Sequence, residues 1–359
     1  MADSEITDIR EPKDFKGITF SNYKKSDCKK ELLKALNNGS IEPACYWSIE
    51  YICAGHLLDL WELILLFSSK CIHLGNPRLS QYLELRFGNF KDIMQNGYVG
   101  AELKSRNNPK IRILFAEIMC ILCLSTKKHN LSQIKVSKEN FNMSTLSDYL
   151  KADNILYAKA IFKKNDPKEL FIALNEFIYH IKKTKSAREA CFWLEWMLEF
   201  ETICKKDKKN NLTAESRYIA PIQSKYSGDF IWMIWETLSN IAASQGENIA
   251  RIISSMLNLF AIRYKSGSKK RRRFIMYNAI SLLTEHCNIL TPIYTTTDEM
   301  KIKTVKDKVN LLYKEKKKRE KKPATDYLFN NSFTNNSKTL EQTISKLEKL
   351  NNMNTIIYK

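Results

Sequence analysis

The chain has 359 residues, 44% of them apolar and 11% aromatic, with 58 Lys and Arg against 39 Asp and Glu for a formal charge of +19. This length and apolar content support two domains with real cores and exclude a chain that is disordered throughout. The charge makes polyanions the expected partners, nucleic acid first and an anionic membrane surface or acidic protein second. The plainer alternative is a Lys-rich solubility coat encoded by AT-rich DNA.

Only ten Gly and eight Pro are present, whereas an average chain holds roughly 7% and 5% of each. Strands joined by tight turns need these residues far more often than long helices do, so the shortage predicts an all-α fold. Nine Cys, scattered or set inside apolar runs, read as reduced thiols of an intracellular protein. The acidic, polar start Met1 to Asp8 is unlike a signal or transit peptide. The most apolar run, Leu57 to Phe67, is too short to cross a bilayer, and no membrane partner is expected.

In chain order, residues 1–25 are polar and are expected to be flexible. A short helix over Lys29 to Asn37 is closed by Asn38-Gly39, a common helix stop. A long central helix is expected from near Pro43 through Phe67, apolar all round except for the stripe His56, Asp59, Glu62. Asn76-Pro77, Asn108-Pro109 and Asp166-Pro167 each set an acceptor before a Pro, the pattern of a helix start. Helices then follow over Arg78 to Met94 and Ile111 to Leu124, and these close a first half at 26–125. Residues 126–150 lack a sustained period and read as a linker.

A second half at 151–290 carries helical patterns over Ile155 to Phe162, Lys168 to Ile181, Ala187 to Cys204, Phe230 to Leu238, Ile249 to Tyr264 and Arg273 to Leu283. Next come a basic helical extension at 291–329 and a disordered tail at 330–359 with a terminal helix over Leu340 to Leu350.

Two phrases recur in the same order. Glu31-Leu-Leu-Lys-Ala-Leu-Asn37 precedes Ala44-Cys-Tyr-Trp47, and Glu169-Leu-Phe-Ile-Ala-Leu-Asn175 precedes Ala190-Cys-Phe-Trp193. The spacing to the next Glu differs by one residue, so the pair reads either as an internal duplication giving two related helical halves or as a coincidence of helical phrases.

The sharpest basic feature is Lys265-Ser-Gly-Ser-Lys269-Lys270-Arg271-Arg272-Arg273, six cations without an acid in a turn before an apolar helix. Cationic heads fanned from a loop between packed helices suit phosphate contacts, and Tyr264, Phe274 and Tyr277 beside them either stack on bases or sit in the core. A second basic run includes Lys316, Lys317, Lys318 and Arg319. The groups Lys182 to Arg188 and Lys205 to Lys209 read as solvated helix ends.

Cys120-Ile-Leu-Cys123 with His129 has half a zinc spacing, and Cys71-Ile-His73 is a second weak pair. Tetrahedral zinc needs four ligands and the thiols lie in an apolar run, so packing is the expected role and no cofactor is predicted. His56, Asp59 and Glu62 offer acid–base groups but fit a plain polar stripe; Glu195, Glu199 and Glu201 read as surface or ion-paired groups. The chain has no phosphate-binding glycine loop, dinucleotide fingerprint or nucleophile elbow, so no enzymatic activity is expected, although an unfamiliar helical site is left open.

Ala44-Cys-Tyr-Trp-Ser-Ile-Glu50, His73-Leu-Gly-Asn-Pro77, Asp166-Pro-Lys-Glu-Leu170 and Ala190-Cys-Phe-Trp-Leu-Glu-Trp196 resemble proteins of nucleocytoplasmic large DNA viruses, including algal viruses and mimivirus relatives. The resemblance covers about residues 30–330. It implies a viral origin and a location in the host cytoplasm at a viral factory, in the virion or in the nucleus, and it carries no activity and no functional residues.

The resulting expectation is a non-enzymatic basic protein that binds DNA or RNA, or acts as a scaffold, in viral genome replication, transcription or packaging, with other viral proteins as further partners. The alternative is a HEAT-like interaction adaptor or virion structural protein that uses its Trp and Tyr residues as anchors. A likeness to the cyclin-like core of a transcription factor is weaker, because the repeat spacing is long for that unit.

Overall fold

The computed structural model describes residues 2–206 and 212–321. Residues Met1–Ile6 and Arg10–Glu320 make one compact unit, while Thr7–Ile9 and Lys321–Lys359 are assigned to a second; the account below concerns the first. The expected tail at 330–359 and its terminal helix lie outside the described residues, as do Lys208, Lys209 and Lys322.

The fold is all-α. In order, the helices are α1 (Lys25–Asn37), α2 (Ile41–Cys53), α3 (Leu57–Phe67), α4 (Leu79–Gln95), α5 (Pro109–Leu124), the short α6 (Met143–Ser147) and α7 (Leu156–Lys159), α8 (Phe171–Tyr179), α9 (Ala187–Lys206), α10 (Ile231–Gln245), α11 (Glu247–Ala261), the short α12 (Ser268–Arg271), α13 (Arg273–Thr284) and α14 (Thr296–Lys317). Pairing of β type among the described residues is limited to two isolated bridges, Ile18 with Lys24 and Thr213 with Asp229.

Helix α1 ends where the sequence predicts, with Asn38 as C-cap and Gly39 at φ +70. That left-handed conformation costs glycine nothing. The expected long helix from Pro43 to Phe67 is instead two, α2 and α3. Gly55 at φ +75 breaks it, and the next residue, His56, places its Nε2 2.8 Å from the Ile18 carbonyl and 3.0 Å from that of Phe15. Hydrophobicity runs unbroken through this point, so only the glycine marks the turn.

The N-terminal segment is packed, against the expectation of flexibility. Phe15 and Phe20 are fully buried, with the Arg10 guanidinium over both rings at 4.7 and 4.8 Å. The segment 126–150 is likewise no free linker. Lys128 and Leu131 donate backbone hydrogen bonds to Cys71 and Lys70, Trp196 Nε1 donates to the Asn140 carbonyl, and Tyr149 stacks on Phe192 at 4.5 Å.

Of the three expected caps, Asn108 accepts the Lys110 amide at 2.8 Å as a true N-cap. Asn76 and Asp166 are occupied elsewhere. Asn76 Nδ2 donates to Ser125 Oγ and the Ile293 carbonyl, and Asp166 binds the Lys163 and Glu215 amides and the Arg217 guanidinium.

The two echoing phrases fold alike locally. Each places its first part on a helix, or at its start, that packs on the next one, α1 on α2 and α8 on α9. Leu32, Leu36 and Ala44 are buried in one copy, as are Leu170, Leu174 and Ala190 in the other. The expected halves do not hold separate cores: α4 packs on α11, and α13 packs on the π-helical turn Ser68–Ile72 that follows α3. In the core of the first half Trp61 lies 5.1, 5.7 and 5.7 Å from Phe87, Phe90 and Phe115, pairings worth about 0.5–1.5 kcal/mol each beyond their buried area.

Helix α14 belongs to this same core. It packs on α5 and α2, with Tyr313 fully buried beneath the Arg112 guanidinium at 3.9 Å.

Candidate nucleic-acid interface

The loop after α11 is held by an aromatic anchor. Tyr264 is buried against Trp232, with ring centroids 4.7 Å apart, and its hydroxyl donates to Asp229 Oδ2 at 2.8 Å. Tyr264 therefore reads as core, and so does Tyr277, whose hydroxyl donates to Glu195 at 3.0 Å. Burial first, and the adjacent Asp229 and Glu195 carboxylates second, push both phenols well above their ordinary range.

The basic loop is largely neutralised from within, which corrects its expected role. Lys269 is 2% exposed, with its Nζ 2.6 Å from Glu201 and 2.7 and 2.8 Å from the two Asp229 oxygens. Arg272 is buried too; it donates to the Phe260 and Ile262 carbonyls at 2.6 Å and pairs with Glu62 at 2.5 Å. Arg273 meets Glu195 at 2.8 Å. Burial raises the Glu195 pKa, with Arg273 the main opposing influence.

Lys270 is half-exposed, near Glu199 at 3.1 Å and Thr202 at 2.6 Å. Among the loop cations that were expected to touch phosphate, this leaves Lys265 and Arg271 exposed, the latter sharing Glu62 at 3.1 Å. Lys316 also departs from expectation. It is 1% exposed, ion-paired with the fully buried Glu50 and seated 3.0 Å from the Tyr46 ring centroid. Burial pulls its pKa down against the support of Glu50.

The acids that neutralise the loop, Glu62, Glu195, Glu199, Glu201 and Asp229, lie on or next to apolar helices far off in sequence. Their presence inside otherwise apolar helical stretches was the available signal, because a carboxylate buried there needs a cation.

What the loop does present faces a cleft of about 510 Å³ between it, the first turns of α1 and α3. Six cations line this cleft (Lys25, Lys29, Arg263, Lys265, Arg271, Arg272) against the carboxylates Asp59 and Glu62. Lys25 pairs with Asp59, while Lys29, Arg263 and the Lys265 ammonium are exposed without an acidic partner among the described residues. The polar stripe His56, Asp59, Glu62 is thus resolved into a carbonyl-binding histidine and two carboxylates that each hold a cation.

Helix α14 supplies the second basic surface. Lys303 and Lys308, with Lys318 and Arg319 just beyond its C-terminus, are exposed and have no acidic partner among the described residues; Lys306 pairs with Glu117 at 2.9 Å, Lys314 pairs with Asp3, and Lys317 is half-buried. Beside the C-terminal end of α14, Tyr23, Trp47 and Tyr46 form a half-exposed aromatic group, with both neighbouring ring pairs 5.3 Å apart. Burial raises the Tyr46 pKa, and the pull of Tyr23 and Arg319 opposes it. The equivalent phrase in the second copy, Phe192-Trp193, is buried.

The cysteines behave as packing groups. Burial pushes the Cys120 and Cys123 thiols up to about 11 and about 12. His73 meets His129 through a 2.8 Å bond to its carbonyl and a ring separation of 5.0 Å. No group of three or more His, Cys, Asp or Glu side chains that could hold a metal occurs among the described residues, and no described helix is long and apolar enough to cross a membrane.

Fold and site together describe an all-α protein with two basic regions, each of which keeps some exposed cations without an acidic partner among the described residues. Comparison with protein families, with curated proteins and with solved structures finds no match to this chain.

Proposed function

We propose that the protein is a non-enzymatic nucleic-acid-binding component, acting as a binding or scaffold protein in the handling of a viral genome at a host-cell viral factory or in the virion. The observation that carries this reading is the division of its positive charge. The inward-facing Lys269, Arg272, Arg273 and Lys316 are matched by carboxylates, whereas Lys29, Arg263, Lys265, Lys303, Lys308, Lys318 and Arg319 are left exposed without one among the described residues. Heads of this kind contact a phosphate backbone with little sequence preference, so affinity falls steeply with salt. The half-exposed Tyr23, Tyr46 and Trp47 favour single strands, on whose unpaired bases they can stack.

Titration of purified, nuclease-treated protein with labelled single- and double-stranded DNA and RNA across a salt series tests this. The reading predicts tight, salt-steep binding that weakens when Lys303, Lys308, Lys318 and Arg319 are changed to Ser. No binding at low salt would overturn it and favour the adaptor reading, for which exposed Met300 and Leu311 on α14 are the supporting observation.

A further inference from the structure

The basic cleft does not end at the loop. It shares Leu58, Asp59, Ile262 and Arg263 with a larger groove of about 900 Å³ that runs between the start of α3, α4 and the end of α11. The character of the lining changes along the way. The larger arm is walled by apolar side chains, Leu58, Phe87, Met94 and Val99 among them, with the acceptors Glu84, Glu102 and Gln95 and the single further cation Lys91 among its polar positions. Of these, Glu84 accepts from Asn258 at 2.6 Å. Cations therefore predominate in one arm, six against two carboxylates, and apolar surface with hydrogen-bond acceptors predominates in the other.

Two local features are unexplained by folding alone. Arg263 stands at the junction with φ +42, a left-handed conformation uncommon for a residue with a side chain, and its guanidinium is exposed without a partner among the described residues. Gly88 sits inside α4 on the wall of the large arm, and a side chain begun there would meet no atom within 4 Å. A helix-interior glycine is unfavourable compared with alanine. No close backbone approach and no positive φ require it here. What its missing side chain does is keep the groove open.

We infer that this composite groove binds a nucleotide, with its phosphate among Lys29, Arg263 and Lys265 and its base along the apolar arm, where carboxylate and amide oxygens accept from exocyclic amino groups. Concave sites with apolar walls and a few convergent polar groups are the usual form of small-molecule pockets, and the volume suits a ligand of this size. The nucleotide is either free or the phosphorylated end of a strand. The site extends the reading above but does not depend on the α14 surface, so either can fail alone.

The test is calorimetric titration of the full-length protein at low salt with a nucleoside 5′-monophosphate, the matching nucleoside and inorganic phosphate. Single-stranded oligonucleotides with and without a 5′-phosphate follow, to separate the two sources. Variants are Gly88→Leu, whose Cβ meets no atom within 4 Å and whose side chain is placed to occupy the apolar arm, and Lys265→Ser, together with the α14 quadruple Ser variant as a control. The nucleotide should bind about tenfold or more tightly than nucleoside or phosphate alone, and Gly88→Leu should remove that advantage while thermal stability is kept. A preference for the 5′-phosphorylated oligonucleotide over the free nucleotide assigns the strand end, and the reverse assigns the free nucleotide. The α14 variant should leave nucleotide binding unchanged even where it abolishes polynucleotide binding. Equal affinity for phosphate and nucleotide, unchanged binding in a folded Gly88→Leu protein, or no nucleotide binding at low salt would each overturn the proposal.

Discussion

The run Lys265 to Arg273 and the run Lys301 to Arg319 look alike as strings of letters, yet the fold treats them in opposite ways. In the first, Lys269, Arg272 and Arg273 turn inward onto Glu201, Asp229, Glu62 and Glu195 and clamp α12 and α13 to α3 and α9. In the second, Lys316 alone is buried, while Lys303, Lys308, Lys318 and Arg319 project outward. A basic run is an interface only for those cations whose carboxylates are missing, and the carboxylates are found elsewhere in the chain, about 40 to 210 residues away for the loop.

The comparison breaks most readily at Lys269. Lys269→Ala leaves the Asp229 carboxylate without a cation and Glu201 with only the exposed Lys205, and the expected loss is about 3 kcal/mol of unfolding free energy, read by urea denaturation. A loss below about 1 kcal/mol would show the loop cations to be ornamental to the fold and free for a ligand.

Asp166 sharpens the same point through pH. Burial pushes its carboxyl up, but Arg217 and the Lys163 and Glu215 amides together hold it below its usual 3.8. Its folded-state pKa is depressed, so its stabilising contribution is full above the unfolded value and is lost as pH falls through the folded one. Asp166→Asn should therefore be strongly destabilised at pH 7, and the gap to the parent protein should narrow below about pH 4. A gap that stays constant from pH 7 to pH 3 would contradict the assignment.

On the other side of the comparison, changing Lys303, Lys308, Lys318 and Arg319 to Ser should leave stability within about 0.5 kcal/mol per site. It should also flatten the slope of log affinity against log salt by about 3 to 4 units if all four meet phosphate. A modest gain is expected at Gly88, where Gly88→Ala should add about 0.5–1 kcal/mol because the helical backbone there is already unstrained.

Much of the architecture is legible in the sequence. The shortage of Gly and Pro indicates an all-α fold, Asn38-Gly39 ends α1 as expected, and Asn108-Pro109 opens α5. The errors share a cause. Gly55 gives no visible break in the pattern, because apolar residues continue on both sides of it. The 126–150 segment looked like a linker because its anchors, among them Ile134, Phe141 and Tyr149, are spaced for an irregular strap and not for a helix. Asn76 and Asp166 have the chemistry of caps, but stronger partners reach them from distant segments. The candidate site was half legible. Lys265, Arg271 and Arg272 stand out in the sequence, while Lys25, Lys29, Arg263 and Gly88 come into it only through tertiary proximity.

The central claim is that the buried loop cations Lys269, Arg272 and Arg273 hold the fold, while the exposed cations, those of α14 among them, meet the ligand. One paired measurement tests it directly: thermal melting and salt-dependent binding of a single-stranded oligonucleotide by the Lys269→Ala protein and the α14 quadruple Ser protein. The account predicts a large fall in melting temperature with a retained salt slope in the first, and an unchanged melting temperature with a flattened slope in the second. The reverse pattern, a stable Lys269→Ala protein that no longer binds beside an α14 variant that binds as before, would contradict it.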